Sequence, residues 1–230
     1  MHLTVASYNI HKAVGADGKR DADRVMRVLH ELDADVVALQ EADRRFGERE
    51  GVLPRALLDE AHWQVAPVAM RTRSMGWHGN ALLVRRGIDI LDAGPIALPT
   101  LEPRGAVRAR LSLDGREFCV AGMHLDLSGL LRRRQIAAVC TAMLAQHPCV
   151  LLGDLNEWSA LGGALRAFGA EWDVLNPGRS FPVARPLAAL DRVVVSASHW
   201  TVESCTVHHS ALAVAASDHL PVKAALRLIA

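Results

Sequence analysis

The sequence predicts an α/β protein in which one or more mixed β-sheets carry helices on their outer faces. Segments with strand character outnumber helical ones, and neighbouring strands look hairpin-joined, as at the Asp114-Gly115 turn. A third observation is that many of the apolar strands stop at a polar residue. Half of the 230 residues are apolar, which is enough for a large core. We therefore expect one domain over residues 1–230.

The first half of the chain alternates strands with helices. A strand over residues 3–10 should end near Asn9, and an amphipathic helix follows with Asp21 or Asp23 as its cap. The next strand, 36–39, runs into Glu41. The remaining predictions for this half are a helix at 53–62 and strands at 79–84 and 88–91.

The second half begins with a predicted hairpin of strands at 107–113 and 118–123, which delivers His124 at its end. A helix over 130–146 follows, and Leu161, Leu165 and Phe168 mark a short helix. Residues 172–186 and the small residues before Ser217 are expected to form loops. The last predicted strands are 190–195, 200–207 and 222–228.

The segment Cys149–Trp158 carries the strongest local signal. Four apolar residues run into Gly153, which is typical of a buried strand that ends at the surface. Residues two apart in an extended chain point the same way, so Asp154 and Asn156 would address one point. Together they could hold a water molecule and a phosphoryl oxygen. The alternative is an Asx turn that closes the strand.

Nine polar residues lie at or near predicted strand ends: Asn9, Glu41, Asn80, His124, Asp154, Asn156, Asp191, Asp218 and His219. The carboxylates and amides suit a hard cation such as Mg²⁺ or Mn²⁺, and the two histidines suit proton transfer. Arg104 could bind an oxyanion. Each residue also has an ordinary explanation, such as a salt bridge for Glu41 or a packed core position for a histidine.

Charge and cysteine content restrict the class of protein. A net charge of +1 gives no global attraction to nucleic acid, so a nucleic-acid substrate stays open but is not favoured. No stretch approaches the length of a transmembrane segment, and the start does not resemble a signal peptide. Four widely spaced cysteines indicate buried thiols in a reducing compartment, hence the cytoplasm. No pattern predicts an oligomeric state.

Two further groups of residues remain ambiguous. The arginines 71, 73, 104 and 132–134 form either a local phosphate-binding patch or a solvated face. Trp77, Trp158 and Trp172 lie close in sequence to the candidate segments. They either stack on a base or sit at a lipid interface, or they pack in the core.

Seven blocks, in this order, resemble the endonuclease/exonuclease/phosphatase superfamily. The blocks are Ser7-Tyr8-Asn9-Ile10, Leu39-Gln40-Glu41, Gly79-Asn80-Ala81-Leu82-Leu83, Met123-His124-Leu125-Asp126, Gly153-Asp154-Leu155-Asn156, Leu190-Asp191-Arg192-Val193 and Ser217-Asp218-His219-Leu220-Pro221. The resemblance spans residues 7–221 and implies a four-layer sandwich, two mixed or antiparallel β-sheets face to face with helices outside. It also implies a Mg²⁺-dependent phosphoesterase site at one rim, with Mn²⁺ as a substitute.

The resemblance further implies a role for each residue. Glu41, Asn9 and Asp218 would lie at the metal, and Asn80 and Arg104 at the substrate phosphate. His124, Asp154, Asn156, Asp191 and His219 would be catalytic. Asp191 would orient His219, while the general base is either His219 or Asp154. The expected substrate is a phosphodiester, either a lipid headgroup or a short or single-stranded nucleic acid. The alternatives are a DNA nuclease, an inositol-phosphate phosphatase, or a catalytically silent phosphate-binding protein.

Overall fold

The computed structural model describes residues 1–100, 104–146, 148–159 and 162–229. The strands are β1 (His2–Asn9), β2 (Val36–Gln40), β3 (Trp63–Val65), β4 (Ala81–Arg85), β5 (Asp89–Ile96), β6 (Gly105–Leu113), β7 (Arg116–His124), β8 (Cys149–Asp154), β9 (Trp172–Leu175), β10 (Asp191–Ser196), β11 (Trp200–Val207) and β12 (Val222–Leu228). The α-helices are α1 (Ala22–Leu32), α2 (Arg55–Glu60), α3 (Gly129–Met143) and α4 (Ala211–Ala216), and 3-10 helices cover His11–Ala13, Leu144–Gln146 and Gly163–Ala167.

The strands form two six-stranded mixed sheets. The first has the order β11-β12-β1-β2-β4-β3 and the second β5-β6-β7-β8-β10-β9. Each sheet contains one parallel pair near its centre, β1 with β2 and β7 with β8, and the other described pairs are antiparallel. Because the carboxyl ends of parallel strands share an edge, each sheet presents a pair of strand ends to the same rim.

The two sheets pack face to face over a shared apolar core. Val5 and Leu82 of the first sheet and Val120 and Leu152 of the second belong to this buried cluster. The sheets approach closely at Gly122, where an added Cβ would lie 3.0 Å from the Cβ of Ala38. Fully buried branched side chains of this kind each contribute about 1.5–3 kcal/mol to stability.

Helices cover both outer faces. On the first sheet, Val25, Val28, Leu29 and Leu32 of α1 pack into a second buried cluster with residues of β1, β2 and β4. On the other sheet, residues of α3 and of the 3-10 helix Gly163–Ala167 form a third cluster. The predicted four-layer sandwich is therefore confirmed.

Several element predictions need correction. Sequence analysis missed β3, β9 and α4. β3 and β9 are edge strands of three and four residues, too short for a period-two pattern. The small residues of α4 lack bulky periodic side chains, but alanine favours a helix and Ser210 caps it by accepting from the Ala213 N–H.

The boundaries of three other elements are also informative. Asp21 is the residue that caps α1, accepting from the Arg24 N–H at 3.0 Å. α2 is shorter than predicted and β5 is longer. Leu161 lies outside the described residues. In the part of the chain that the structure describes, no helix combines the length and the apolar composition needed to cross a bilayer.

Candidate active site

Strand register brings three predicted site residues into one row. His124 at the end of β7 is paired with Asp154 at the end of β8, and Asp154 is in turn paired with Asp191 at the start of β10. All three are buried. The prediction that polar residues gather at strand ends is therefore confirmed for this row.

Asp154 is the centre of the site. Its Oδ2 accepts a hydrogen bond from Asn9 Nδ2 at 3.0 Å and lies 3.4 Å from His124 Nε2 and 3.7 Å from His219 Nε2. Residues from both sheets thus converge on one carboxylate oxygen. Burial of a carboxylate is costly unless such donors surround it.

Gly153 is required for this arrangement. A Cβ at this position would lie 2.1 Å from the carbonyl oxygen of Met123 on the neighbouring strand. A larger residue would push β8 away from β7 and move Asp154 away from His124. The glycine before Asp154 therefore sets the spacing of the site.

His219 is held by a buried carboxylate. Its Nδ1 donates to Asp191 Oδ2 at 2.9 Å, and the Ser180 hydroxyl donates to the same oxygen at 2.6 Å. Burial alone would lower the pKa of His219, but the carboxylates of Asp191 and Asp154 outweigh it and raise the pKa to about 10. His219 is therefore an imidazolium at neutral pH, with Nε2–H directed toward Asp154.

His124 is in the opposite protonation state. Burial lowers its pKa to about 3, and the charges of Arg104, His219 and Lys12 act in the same direction against Asp154. The Arg104 guanidinium donates to His124 Nε2. The site thus pairs a neutral and a charged imidazole across a single carboxylate.

Glu41 lines a cleft that Arg104 and His124 also line, and it forms an ion pair with Lys12. It follows β2 in a left-handed backbone conformation (φ 56°), which is unfavourable for a residue other than glycine and typical of functional positions. The Lys12 ammonium contacts its Oε2. The salt bridge that was the ordinary explanation for Glu41 is therefore present, and Lys12 supplies it.

The donor set also fits a divalent cation. Asn9 is paired with Gln40 across β1 and β2, so it lies beside Glu41, and Asp218 precedes His219 with its side chain 42% exposed. Mg²⁺ usually takes one or two carboxylates and keeps several waters, which these residues allow. Asp154, Asp191 and His219 also offer ligand atoms within 4.8 Å of one another. An imidazolium has no free lone pair, so we interpret that trio as a hydrogen-bonded network.

Two of the three predicted asparagines, Asn80 and Asn156, make contacts that differ from expectation. β8 ends at Asp154 and Asn156 is left-handed (φ 50°), so the two side chains are not aligned by an extended chain. Instead the Asn156 N–H donates to Asp154 Oδ1 at 2.9 Å, the Asx-turn alternative, and its side chain donates to Leu125 O at 2.8 Å. The Asn80 amide donates to Gly105 O at 3.1 Å and to Trp77 O at 3.2 Å, while its Oδ1 is buried without a partner in the described structure.

The structure places one of the ambiguous arginines and two of the ambiguous tryptophans. Arg132 does not form a phosphate patch; it is buried and pairs with Glu157 at 3.2 Å. Trp172 packs in the core as the ordinary explanation holds, but Trp158 is 61% exposed. Its ring lies 6.2 Å from that of Phe181, which in turn lies 4.6 Å from His219.

Sequence analysis missed several residues around the cleft. The described residues that line it are Lys12, Glu41, Asp43, Arg44, Arg45, Arg49, His78, Gly79, Arg104 and His124. Lys12, three residues beyond Asn9, was a detectable signal because a charged residue there must lie near the site. Nothing in the sequence could have marked Ser180, which reaches Asp191 from the proline-rich loop.

Comparison with known proteins agrees with this architecture. A model of the endonuclease/exonuclease/phosphatase family matches residues 6–219. The uncharacterized protein YbhP of Escherichia coli K12 is 27% identical over 257 aligned residues, which cover 97% of this chain and 96% of YbhP. YbhP of Shigella flexneri matches to the same extent.

Solved structures share the fold at low sequence identity. An endonuclease/exonuclease/phosphatase from Bacteroides vulgatus superposes with a TM-score of 0.78 at 18% identity, over 100% of both chains. The human Nocturnin catalytic domain with bound sulfate gives 0.75 at 19%, covering 99% of this chain and 95% of that one. Danio rerio TDP2 complexed with a single-strand DNA product gives 0.73 at 17%, covering 98% and 99%. Because the family model matches nearly the whole chain, the protein belongs to the endonuclease/exonuclease/phosphatase family.

Proposed function

We propose that the protein hydrolyses a phosphodiester by in-line attack of an activated water, with Mg²⁺ as cofactor and Mn²⁺ as a substitute. The observation that carries the proposal is the convergence of Asn9, His124 and His219 on one carboxylate oxygen of Asp154. A scaffold protein would gain nothing from burying so many polar groups at one point, because each is costly to desolvate.

We assign the metal to Glu41 with Asn9 and Asp218. These residues would hold a cation whose charge would offset that of the phosphoryl oxygens and so lower the repulsion that an attacking water meets. The assignment is supported by hard oxygen donors and by the ability of Glu41 to accept a cationic group from the cleft. One ion or two are both compatible with this set.

Asp154 acts on the water and His219 on the phosphate. With Nδ1 held by Asp191, the His219 Nε2–H is the only ring proton left to reach a phosphoryl or leaving oxygen. A charged imidazole cannot accept a proton, which leaves Asp154 as the general base. Ser180 positions Asp191 from behind.

His124 and Arg104 support the phosphate, and Asn156 and Asn80 have narrower roles. Arg104 lines the cleft and offers donors to a phosphoryl oxygen, while neutral His124 accepts from the Arg104 guanidinium and so positions it. Asn156 fixes Asp154 through its backbone N–H. Asn80 gives its amide protons to the backbone, so we assign it to positioning the start of β6 instead of contacting phosphate.

The substrate is a small or flexible phosphodiester, either a lipid headgroup or a short or single-stranded nucleic acid. Two solved structures with this fold hold a sulfate anion and a single-strand DNA product, respectively, which is compatible with a phosphate-bearing substrate here. We also propose a single domain over residues 1–230 and a cytoplasmic location. All four cysteines are free, which suits a reducing compartment.

The test is hydrolysis of bis-p-nitrophenyl phosphate with Mg²⁺ or Mn²⁺, with and without chelator. Asp154→Ala and His219→Ala should each reduce turnover at least about a hundredfold, the usual scale for acid–base groups. His30→Ala, on the exposed face of α1, is the matched control and should retain turnover. Near-normal activity of either folded site variant contradicts the assignment.

The same assay tests the alternative that the protein is catalytically silent. A wild-type protein that binds phosphate but releases no p-nitrophenol with either metal would support a scaffold role. A substrate panel of plasmid DNA, RNA oligomers, phosphoinositides, sphingomyelin and cardiolipin then separates nuclease, phosphatase and lipid activities.

A further inference from the structure

Loops that follow the site residues carry large apolar side chains that no part of the described structure covers. Leu127, Leu130, Trp158 and Leu187 are 63%, 61%, 61% and 54% exposed; we call these four the apolar rim. Leu127 comes three residues after His124, and Trp158 four residues after Asp154. Exposed apolar groups of this size, gathered beside a site, mark an interaction surface more often than chance.

The three loops that carry the apolar rim are tied to one another. Arg132 donates to Leu127 O at 2.6 Å and to Glu157 Oε2 at 3.2 Å, which ties the loop after β7 to the loop after β8. The Trp158 ring then packs edge-on against Phe181, and the Leu187 N–H donates to Phe181 O at 2.8 Å. The Phe181 ring contacts His219, so the apolar rim is connected to the proposed catalytic imidazole.

The cleft itself is lined by basic residues. Arg44, Arg45 and Arg49, which we call the arginine rim, lie on the loop between Asp43 and Gly51 and line the cleft. Arg49 donates to His78 Nδ1 at 3.1 Å, and Arg44 lies 3.8 Å from Glu50, with both side chains half-exposed. Arg45 makes no ion pair with any described residue.

The local charge differs from that of the whole chain. The described residues that line the cleft carry five positive and two negative side chains, counting histidines as neutral, which sums to +3. One of the two acids, Asp43, is buried and accepts from the Ser74 hydroxyl and the Met75 N–H. The whole chain carries only +1. Positive charge is therefore concentrated at the mouth of the site.

The chemistry of the apolar rim and the arginine rim favours binding to a bilayer over binding to a nucleic acid. A single strand is bound by stacking its bases on aromatic rings above a basic groove. Three of the four residues of the apolar rim are leucines, which cannot stack on a base. Leucine and tryptophan together with arginine are the groups that bind the headgroup region of anionic membranes.

We propose that the face bearing the cleft docks on the surface of an anionic phospholipid bilayer. The apolar rim enters the headgroup region and the arginine rim contacts lipid phosphates. The proposal rests on the proposed function in one respect only: docking in this orientation presents a headgroup phosphodiester to Asp154 and His219. Docking itself does not require Asp154, His219 or a metal ion.

The experiment is co-sedimentation of the full chain with vesicles, in chelator, so that hydrolysis does not contribute. Vesicles of phosphatidylcholine mixed with phosphatidylglycerol should bind the protein, those of phosphatidylcholine alone should bind it much less, and added salt should weaken binding. Arg45→Ala with Arg49→Ala should lower the affinity about fivefold per arginine. Leu127→Ser with Leu130→Ser should lower it at least about tenfold.

Matched controls lie at the opposite end of the second sheet. Leu91→Ser and Arg116→Ala make the same changes more than about 20 Å from His124, at the strand rise of about 3.3 Å per residue, and should bind as wild type. Asp154→Ala should also bind as wild type, which separates failure of docking from failure of catalysis. Circular dichroism verifies that each variant is folded.

Two results overturn the proposal. The first is equal, weak sedimentation with both kinds of vesicle. The second is wild-type binding by both rim double variants. Binding of a single-stranded oligonucleotide that depends on Trp158, without vesicle binding, would assign the surface to nucleic acid instead.

Discussion

Replacing Asp191 with asparagine tests the electrostatic basis of the site. The pKa of His219 is about 10 against an ordinary 6.5, a difference of about 3.5 pH units that favours the charged form by about 5 kcal/mol. Asp191 is the largest of the charges that stabilise the imidazolium, and it also makes the 2.9 Å hydrogen bond. Asparagine keeps the shape and removes the charge. We expect the pKa to fall by about 3 pH units, about 4 kcal/mol.

The consequence for catalysis is a loss of the charged imidazole above about pH 7. With a pKa near 7, about a tenth of His219 is charged at pH 8, so turnover of bis-p-nitrophenyl phosphate should fall about tenfold there and recover toward pH 6. Histidine-resolved NMR titration of the metal-free protein measures the pKa directly. Asp173→Asn, on the exposed side of β9, is the control. An unchanged His219 pKa together with unchanged turnover would refute the claim that Asp191 keeps His219 charged.

Two further predictions concern Lys12 and Glu157. Lys12→Met removes the ammonium that contacts Glu41, so Mn²⁺ should bind about fivefold more tightly by calorimetry, the scale of a partly exposed ion pair; equal or weaker binding contradicts the metal assignment to Glu41. Burial alone would raise the pKa of Glu157, but the N–H groups of Ala164 and Ser159 and the Arg132 guanidinium outweigh it and hold the pKa below its usual range. Glu157 therefore stabilises the fold above its unfolded-state pKa and loses that contribution as pH falls through its folded-state value. Glu157→Gln should lower the free energy of unfolding by about 1–3 kcal/mol at pH 7, and urea titrations should show the gap to wild type closing below about pH 4; a gap independent of pH would contradict this.

The parts of the fold that were predictable are those in which a buried face imposes a pattern. β12 occupies the predicted residues 222–228, and α1 carries its four apolar residues on one face. β9 and α4 were missed because they have no such pattern. β9 takes its structure from pairing with β10, and α4 from the intrinsic preference of alanine and its Ser210 cap. Local composition alone does not reveal pairing across distant segments.

The site shows the same division. Strand ends predicted that Asp154, Asp191 and His124 lie together, because β-pairing gathers the ends of neighbouring strands. The geometry of Asn156 was wrong because the chain leaves the extended conformation directly after Asp154, and no side-chain pattern records a positive φ. Net charge also did not report the charge of the cleft. It averages a cleft of +3 with paired surface charges elsewhere, and only the structure separates the two.

The alignment of the proposed catalytic row and the packing of the core are coupled through the register of β8. Because side chains alternate between the two faces of a strand, a slip of one residue against β10 would direct Asp154 away from His219 and exchange Leu151 and Leu152 between the two buried clusters that they fill. Repacking both clusters would cost about 1–3 kcal/mol for each misfitting side chain, so the core also protects the alignment of this row. Gly153 fixes the remaining degree of freedom, the distance between β8 and β7. The row needs no dedicated scaffold, since the apolar core that folds the sheet also holds the side chains of the row in place.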